Sequence, residues 1–455
     1  MQPGRVVDIK IDNIAAGGEG IGSLDGMKVF VENSIPGEEL KVKILEVRKN
    51  YARGSVAGFL TRSKERVEPA CKYYESCGAC QLQHMDHSAQ LKYKTGIVKD
   101  SLTRIAGLSD ETVRDIIGSE KQWAYRNKMQ YPVRSSRDRK ICLGYYRKGT
   151  HSVIDIDDCP VLHPALNSIA AAARAAISES ALSIYDEDSG KGLIRHLISR
   201  TAFNTGESEI AFVINSSSFP GSRKLVDRLL SGLDRSVRIK NISYNSNLRR
   251  TNVILGDITR TILGKDFIVE KLGDLRFAVS PESFFQVNPI QAQRLFEKVA
   301  EYSGLGGKET VFDLYCGGGA IALWLSRSAK SVYGVEEVKG AVSDARRNAG
   351  LNGIKNVFFR SGTVEKELKK ISAAGIRADV IVLDPPRSGC SPSVIGSVLE
   401  HSPERIIYVS CDPATLARDL KILCERYDIR EIQPFDMFPQ TAHIECVAWL
   451  GKKRV

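Results

Sequence analysis

Several groups of residues in this chain carry reactive or ligand-binding chemistry by type and spacing. Ser410-Cys411-Asp412-Pro413 sets a cysteine between a strand-like run and a helix-like one, Ala414 to Tyr427, whose first turn Pro413 suits. A thiol there feels the positive end of the helix dipole, which favours thiolate and lowers a pKa that is ~8.5 when free. Free cysteine is commonly a small buried hydrophobe, so the position of Cys411, not its type, carries this expectation. His443-Ile-Glu445-Cys446-Val-Ala-Trp449 reads as a strand that brings Glu445 to the same edge. Asp384-Pro385-Pro386-Arg387 follows the apolar run Val380 to Leu383. Its two prolines stiffen the loop and hold one carboxylate at a fixed angle, suited to a base or to a cofactor amine.

A ligand cradle is legible upstream. Asp313-Leu-Tyr-Cys316 runs into Gly317-Gly318-Gly319 and then a helix, and Glu336 closes the next strand, nineteen residues after Gly317. Glycines there let a ligand approach the backbone, and an acid in that place accepts hydrogen bonds from ribose hydroxyls. The spacing lacks the full GxGxxG pattern of dinucleotide sites, which favours S-adenosylmethionine. A methyl donor, a thiolate and a carboxylate fit one reaction. C5 of a pyrimidine is a poor nucleophile, but addition of a thiolate at C6 makes it an enolate carbon able to take a methyl group. A carboxylate then removes the C5 proton and elimination frees the thiol. Cys411 is the expected nucleophile and Glu445 the expected base.

Cys71, Cys77 and Cys80, with Cys159 far downstream, make a four-thiolate set. Zinc and a [4Fe-4S] cluster both accept four thiolates, and spacing does not separate them. The other cysteines, Cys142, Cys316, Cys390, Cys424 and Cys446, are expected in apolar surroundings. Ten cysteines in 455 residues are too sparse for a disulfide scaffold. With no apolar run near the ~20 residues of a membrane span and no signal-peptide layout, the expected location is cytoplasmic.

These residues need a scaffold. The length suggests about three domains of roughly 150 residues. Val6 to Ile11, Lys28 to Val31, Leu40 to Leu45 and Gly54 to Ala57 read as short strands separated by Gly and Pro turns, the pattern of a small closed barrel. An Ala-rich helix is expected from Ser168 to Ala181. From about Gly307 strand and helix alternate, with strands expected at Val311 to Tyr315, Ser331 to Val335, Val357 to Arg360, Val380 to Leu383 and Arg405 to Ser410. Repeated βα units argue a doubly wound parallel sheet. Lys and Arg number 65 against 54 Asp and Glu, a net +11 that favours a polyanionic partner. Most of the surplus lies between Lys121 and His151, where nine Lys and Arg face one Asp. Trp123, Tyr125, Tyr131, Tyr145 and Tyr146 are interleaved there, so the window reads as an RNA surface with Arg126, Lys128 and Arg134 on phosphates and aromatics on bases.

Phe284-Phe-Gln286-Val-Asn288, Asp313-Leu-Tyr315-Cys-Gly-Gly-Gly319, Asp384-Pro-Pro-Arg387, Ser410-Cys411-Asp-Pro413 and His443-Ile-Glu445, in this order, resemble the RNA uracil-C5 methyltransferases, in particular the 23S rRNA type with a TRAM domain and an iron-sulfur cluster. The resemblance covers nearly the whole chain. It implies an α/β multidomain protein: a TRAM/OB-like β-barrel at 1–60, a mixed α+β central iron-sulfur and RNA-binding domain at 61–83 and 108–270, and a Rossmann-like methyltransferase domain at 84–107 and 271–455. It further implies Cys411 as nucleophile and Glu445 as base, with Gln286, Tyr315, Glu336 and Asp384 on S-adenosylmethionine. Cys71, Cys77, Cys80 and Cys159 would hold [4Fe-4S], and the RNA would be 23S rRNA or, alternatively, a tRNA T-loop. No protein partner is implied. Two rivals remain from the residues alone: a catalytically silent iron-sulfur RNA-binding sensor, and an amino-group methyltransferase built on Asp384-Pro-Pro, neither of which needs Cys411 with Glu445.

Overall fold

The structure is a computed structural model that describes residues 2–136, 138 and 140–454. Strands β1 (Val6–Ile14), β2 (Gly20–Leu24), β3 (Met27–Glu32), β4 (Glu39–Val47) and β5 (Tyr51–Thr61) close into a barrel in the order β1-β2-β3-β5-β4. Burial alternates along β4, so Leu40, Val42 and Ile44 point inward to meet Ile9, Ile11, Val29 and Val31. Each such side chain contributes about 1.5–3 kcal/mol on leaving water. The sequence places a turn at Gly17-Gly18-Glu19-Gly20, and Gly20 in fact opens β2. A Cβ at Gly22 would lie 2.4 Å from the Lys10 carbonyl oxygen, so only glycine lets the two strands close.

The chain forms two compact units. One holds the barrel, Ala79–Gln122 and everything from Asp379 onward; the other holds Glu75–Gly78 and Trp123–Ala378. In the first, helix α1 (His87–Ser101) starts where the Asp86 carboxylate accepts the Ala89 N–H at 2.8 Å. It runs on as a π-helical turn, Leu102–Ala106, and stops at Gly107 in the left-handed conformation.

In the second unit, β6 (Lys128–Ser135), β7 (Ile141–Tyr146), β8 (Val153–Asp155), α2 (Pro164–Ser178), β9 (Ile194–Thr201), β10 (Glu207–Ile214), α3 (Ser222–Ser231), β11 (Arg238–Ser246) and β12 (Ile258–Gly264) build a sheet of order β12-β11-β10-β9-β6-β7-β8. Helix α2 begins four residues before the expected Ser168, because the His163 ring caps it and Pro164 occupies its first turn. A hairpin of β13 (Ile268–Leu272) and β14 (Leu275–Val279) precedes α4 (Pro289–Ser303), β15 (Thr310–Leu314), α5 (Ala320–Leu325), β16 (Ser331–Glu336), α6 (Lys339–Leu351), β17 (Val357–Ser361) and α7 (Val364–Ala373). Strands β15, β16 and β17 are parallel, with β16 central.

The alternation continues in the first unit with β18 (Val380–Leu383), α8 (Pro392–His401), β19 (Arg405–Ser410), α9 (Pro413–Leu423), β20 (Tyr427–Phe435) and β21 (Glu445–Lys452). The βα order is Rossmann-like, and β18 and β19 are parallel as expected. The wholly parallel sheet needs correction, since β21 runs antiparallel to both β19 and β20. Helix α9 ends at Leu423, not Tyr427, because Tyr427 opens β20 with its hydroxyl on the Pro403 carbonyl.

Candidate active site

Antiparallel pairing of β19 with β21 puts Ser410 opposite Cys446. Cys411, just past one strand, and Glu445, first in the other, therefore share one edge. Asp384 leaves β18 at that edge as well, followed by buried Pro385 and exposed Arg387. Charge links these groups. Burial, reinforced by the Asp384 carboxylate and opposed by Arg387, pushes Glu445 up to about 8. Burial alone pushes Asp384 up to about 7. The Arg387 guanidinium lies 3.4 Å from His443 Nδ1, and the His443 ring meets Phe438 edge-on.

The expected low thiol pKa of Cys411 is overturned. Burial and the neighbouring Glu445 push this thiol up to about 11, against the pull of Arg387. The helix start does not offset this, because Asp412 caps it: its carboxylate accepts the N–H groups of Ala414 and Thr415, both at 2.9 Å. The donors that would have favoured a thiolate are already taken. Alkylation of Cys411 by iodoacetamide, followed by peptide mass spectrometry, is therefore expected to be slow at neutral pH and to rise toward a midpoint near 11. In Glu445→Gln the midpoint should drop, because one raising charge is gone; an unmoved midpoint would uncouple the two groups.

In the other unit, Gly317 adopts φ 51° and Gly319 φ 83°. A Cβ on Gly319 would fall 2.8 Å from the Phe359 ring, which makes glycine obligatory, whereas the space over Gly317 is open. Glu336 accepts the Gly317 N–H at 3.1 Å and the Val338 N–H at 2.8 Å. A carboxylate has further lone pairs for ribose hydroxyls, so this open turn with its acid fits an adenosyl group. Tyr315 sits before it with φ 70°, a left-handed conformation that non-glycine residues rarely adopt outside functional sites. Asn348 fastens the turn by donating to the Gly318 carbonyl at 3.0 Å and accepting the Ala278 N–H at 2.8 Å.

Gln286 is half-buried on a loop whose Phe284 is 75% exposed. The basic window supplies supports for that loop. Lys128 Nζ donates to the Pro281 carbonyl at 3.2 Å, and the Asn127 N–H donates to that of Val287 at 2.8 Å. Arg200, fully buried on β9, donates to the Ser283 carbonyl at 2.9 Å. Lys128 as a surface phosphate contact is thus corrected. Its ammonium is inside, where burial and Arg200 lower its pKa to about 7 despite Glu209. Arg126 donates to the Lys128 carbonyl, and Arg134 pairs with Glu187. Tyr125 and Tyr131 are core side chains, not stacking platforms.

Cys142 and Cys424 are only half-buried, contrary to expectation. Burial raises the Tyr131 hydroxyl, with charge effects of Tyr145, Cys159 and Cys77 adding to it, and burial with the charge effect of Cys80 raises that of Tyr74. Among the described residues, no group of three or more His, Cys, Asp or Glu side chains forms a metal site. Among these residues, no helix is long and apolar enough to cross a membrane.

Comparison with known proteins places this geometry in context. The family model described as tRNA (uracil-5-)-methyltransferase matches residues 239–453, and the TRAM domain model matches residues 1–57. An uncharacterized RNA methyltransferase of Halalkalibacterium halodurans is 42% identical over 449 residues, covering 98% of this chain and 97% of that one. Another, from Caldanaerobacter subterraneus subsp. tengcongensis, is 43% identical over 446 residues and 98% of each chain. The crystal structure of Pyrococcus abyssi tRNA (uracil-54, C5)-methyltransferase with S-adenosyl-L-homocysteine matches with TM-score 0.77 and 28% identity, over 98% of this chain and 100% of that one.

Proposed function

The chain belongs to the RNA (uracil-5-)-methyltransferase family and uses S-adenosylmethionine; from that premise we propose that it methylates uracil C5 through a covalent Cys411–C6 adduct resolved by Glu445. The observation that carries the reading is the pairing of β19 with β21, which sets one thiol and one buried carboxyl at a common edge. The Cys411 thiol loses its proton to solvent, the Sγ thiolate bonds to C6, and the electron pair of the C5–C6 double bond moves onto C5. The bound donor supplies the methyl group that C5 takes. Glu445, as carboxylate, accepts the C5 proton, and the C–S bond breaks to return the thiolate. Arg387 favours the charged forms of both groups. Gln286, Tyr315, Glu336 and Asp384 are the proposed contacts to the donor.

We assign the RNA to 23S rRNA, on the combination of a TRAM barrel with the four-cysteine set. A tRNA T-loop is the second reading, favoured by the likeness to the Pyrococcus abyssi enzyme. Mass mapping of both RNAs from cells lacking the gene tests this. A 5-methyluridine missing from 23S rRNA alone is the expected result; loss from tRNA alone would select the second reading, and loss from neither would sink the function. Cys71, Cys77, Cys80 and Cys159 are proposed to hold a [4Fe-4S] cluster on the sequence resemblance and on donor type, four cysteine sulfurs being what such a cluster takes. No step of the reaction passes through it. Such a protein works in the cytoplasm, where its RNA is.

A further inference from the structure

Helix α1 presents His87, Gln90 and Lys94 on one face, at the spacings that make helix neighbours. Polar side chains on a buried face are costly unless something holds them. Here Gln90 and Lys94 are 1% and 0% exposed, and all three reach the same segment, residues 436–444, which leads from β20 into Glu445.

The contacts form a ladder. Asp436, also fully buried, receives His87 Nε2 at 2.8 Å on one oxygen and Lys94 Nζ at 2.6 Å on the other. Lys94 donates further to the Phe438 carbonyl at 3.2 Å. Gln90 and Gln440 exchange two hydrogen bonds: Gln90 Nε2 to Gln440 Oε1, and the Gln440 N–H to Gln90 Oε1, both at 3.0 Å. Gln440 needs such support, because its φ of 69° is left-handed. Its carbonyl accepts the N–H groups of Gln81 and Leu82, both at 3.0 Å, and Gln81 Oε1 accepts the Ala442 N–H at 3.2 Å. Alternate positions of the loop, 436, 438, 440 and 442, are thus fastened up to three residues before Glu445. The uracil-methylation mechanism gives these residues no chemical step.

We infer that Lys94 and Gln90 are positioning residues for the base: the α1 ladder holds the loop that aims the Glu445 carboxyl at the C5 proton. This rests on the proposed mechanism and extends it to residues that touch no substrate. A carboxyl displaced by about 1 Å is enough to cost about 10²-fold in a proton transfer. Adduct formation at Cys411 does not use Glu445, so only the release of product should slow.

The test compares Lys94→Met, Lys94→Arg and Gln440→Gly with the parent, using substrate RNA and S-adenosylmethionine. Gln440→Gly keeps the left-handed backbone and its N–H bond to Gln90 Oε1, deletes the bond from Gln90 Nε2 to the Gln440 side chain and leaves no buried charge behind, so it answers even if Lys94→Met does not fold. The expected result is about a 10²-fold fall in kcat with KM for RNA little changed, together with covalent protein–RNA adduct accumulating in denaturing gels and partial recovery in Lys94→Arg. If adduct formation and release fall in equal proportion, or Gln440→Gly turns over as the parent does, the ladder is only structural and the inference is overturned. If the parent itself forms no Cys411 adduct while still methylating RNA, the mechanism falls first and this inference with it.

Discussion

Glu445→Gln, mixed with substrate RNA and S-adenosylmethionine, is expected to take up one methyl group per protein and then stall as a covalent adduct. The amide cannot accept the C5 proton, so turnover should drop by about 10²–10⁴-fold, the usual contribution of a general base. The adduct should survive denaturation and yield a Cys411 peptide linked to a 5-methyluridine nucleotide. In the parent, release from the adduct should depend on pH in a defined sense. Burial and Asp384 push Glu445 up to about 8, and only its carboxylate form is a base. Release should therefore be slow well below pH 8, quicken as pH rises through that value and level off above it. A Glu445→Gln protein that turns over at the parental rate would transfer the base role to another group.

Cys411→Ala should abolish methylation, by on the order of 10⁴-fold or more, the scale on which an enzyme loses its nucleophile. No adduct should form, while S-adenosylmethionine should still bind, since the proposed donor contacts Gln286, Tyr315, Glu336 and Asp384 are untouched. Stability should hardly suffer. Cys411 is only half-buried, so its removal opens no large cavity, and such substitutions usually stay within about 0.5 kcal/mol. Methylation that survives in Cys411→Ala would favour direct transfer to an exocyclic amino group at Asp384-Pro-Pro, which needs no thiolate. A parent that binds RNA yet forms no adduct and transfers no methyl group would point instead to a non-catalytic RNA-binding protein.

Much of the scaffold was legible because its signals are local. Alternation in Leu40 to Leu45 is enough to specify a half-buried strand, and the run Val380 to Leu383 ends where β18 does. The glycine-rich turn at Gly317 to Gly319 was legible in one stretch of chain, though the clash that makes Gly319 obligatory comes from Phe359, distant in sequence. The ends of helices were less legible, as at Tyr427, because the residue that stops α9 is engaged by Pro403, distant in sequence.

The site divides in the same way. Residue types and their order determined the family and the barrel and named the proposed reacting groups, since each depends on a few consecutive side chains. Their electrostatics came from long-range pairing: only the meeting of β19 and β21 puts Glu445 beside Cys411, and that neighbour makes the thiol weaker in acidity, not stronger. Likewise nothing in the charge run around Lys128 announces that it turns inward to the Pro281 carbonyl. Lys94 did leave a trace in the sequence, as a cation on the same helical stripe as Ile97 and Val98. That trace stays ambiguous until Asp436, far along the chain, arrives to neutralise it. Composition and periodicity decide which groups are present and which segments fold; burial and charge, which set what those groups do, depend on neighbours that only the tertiary structure brings together.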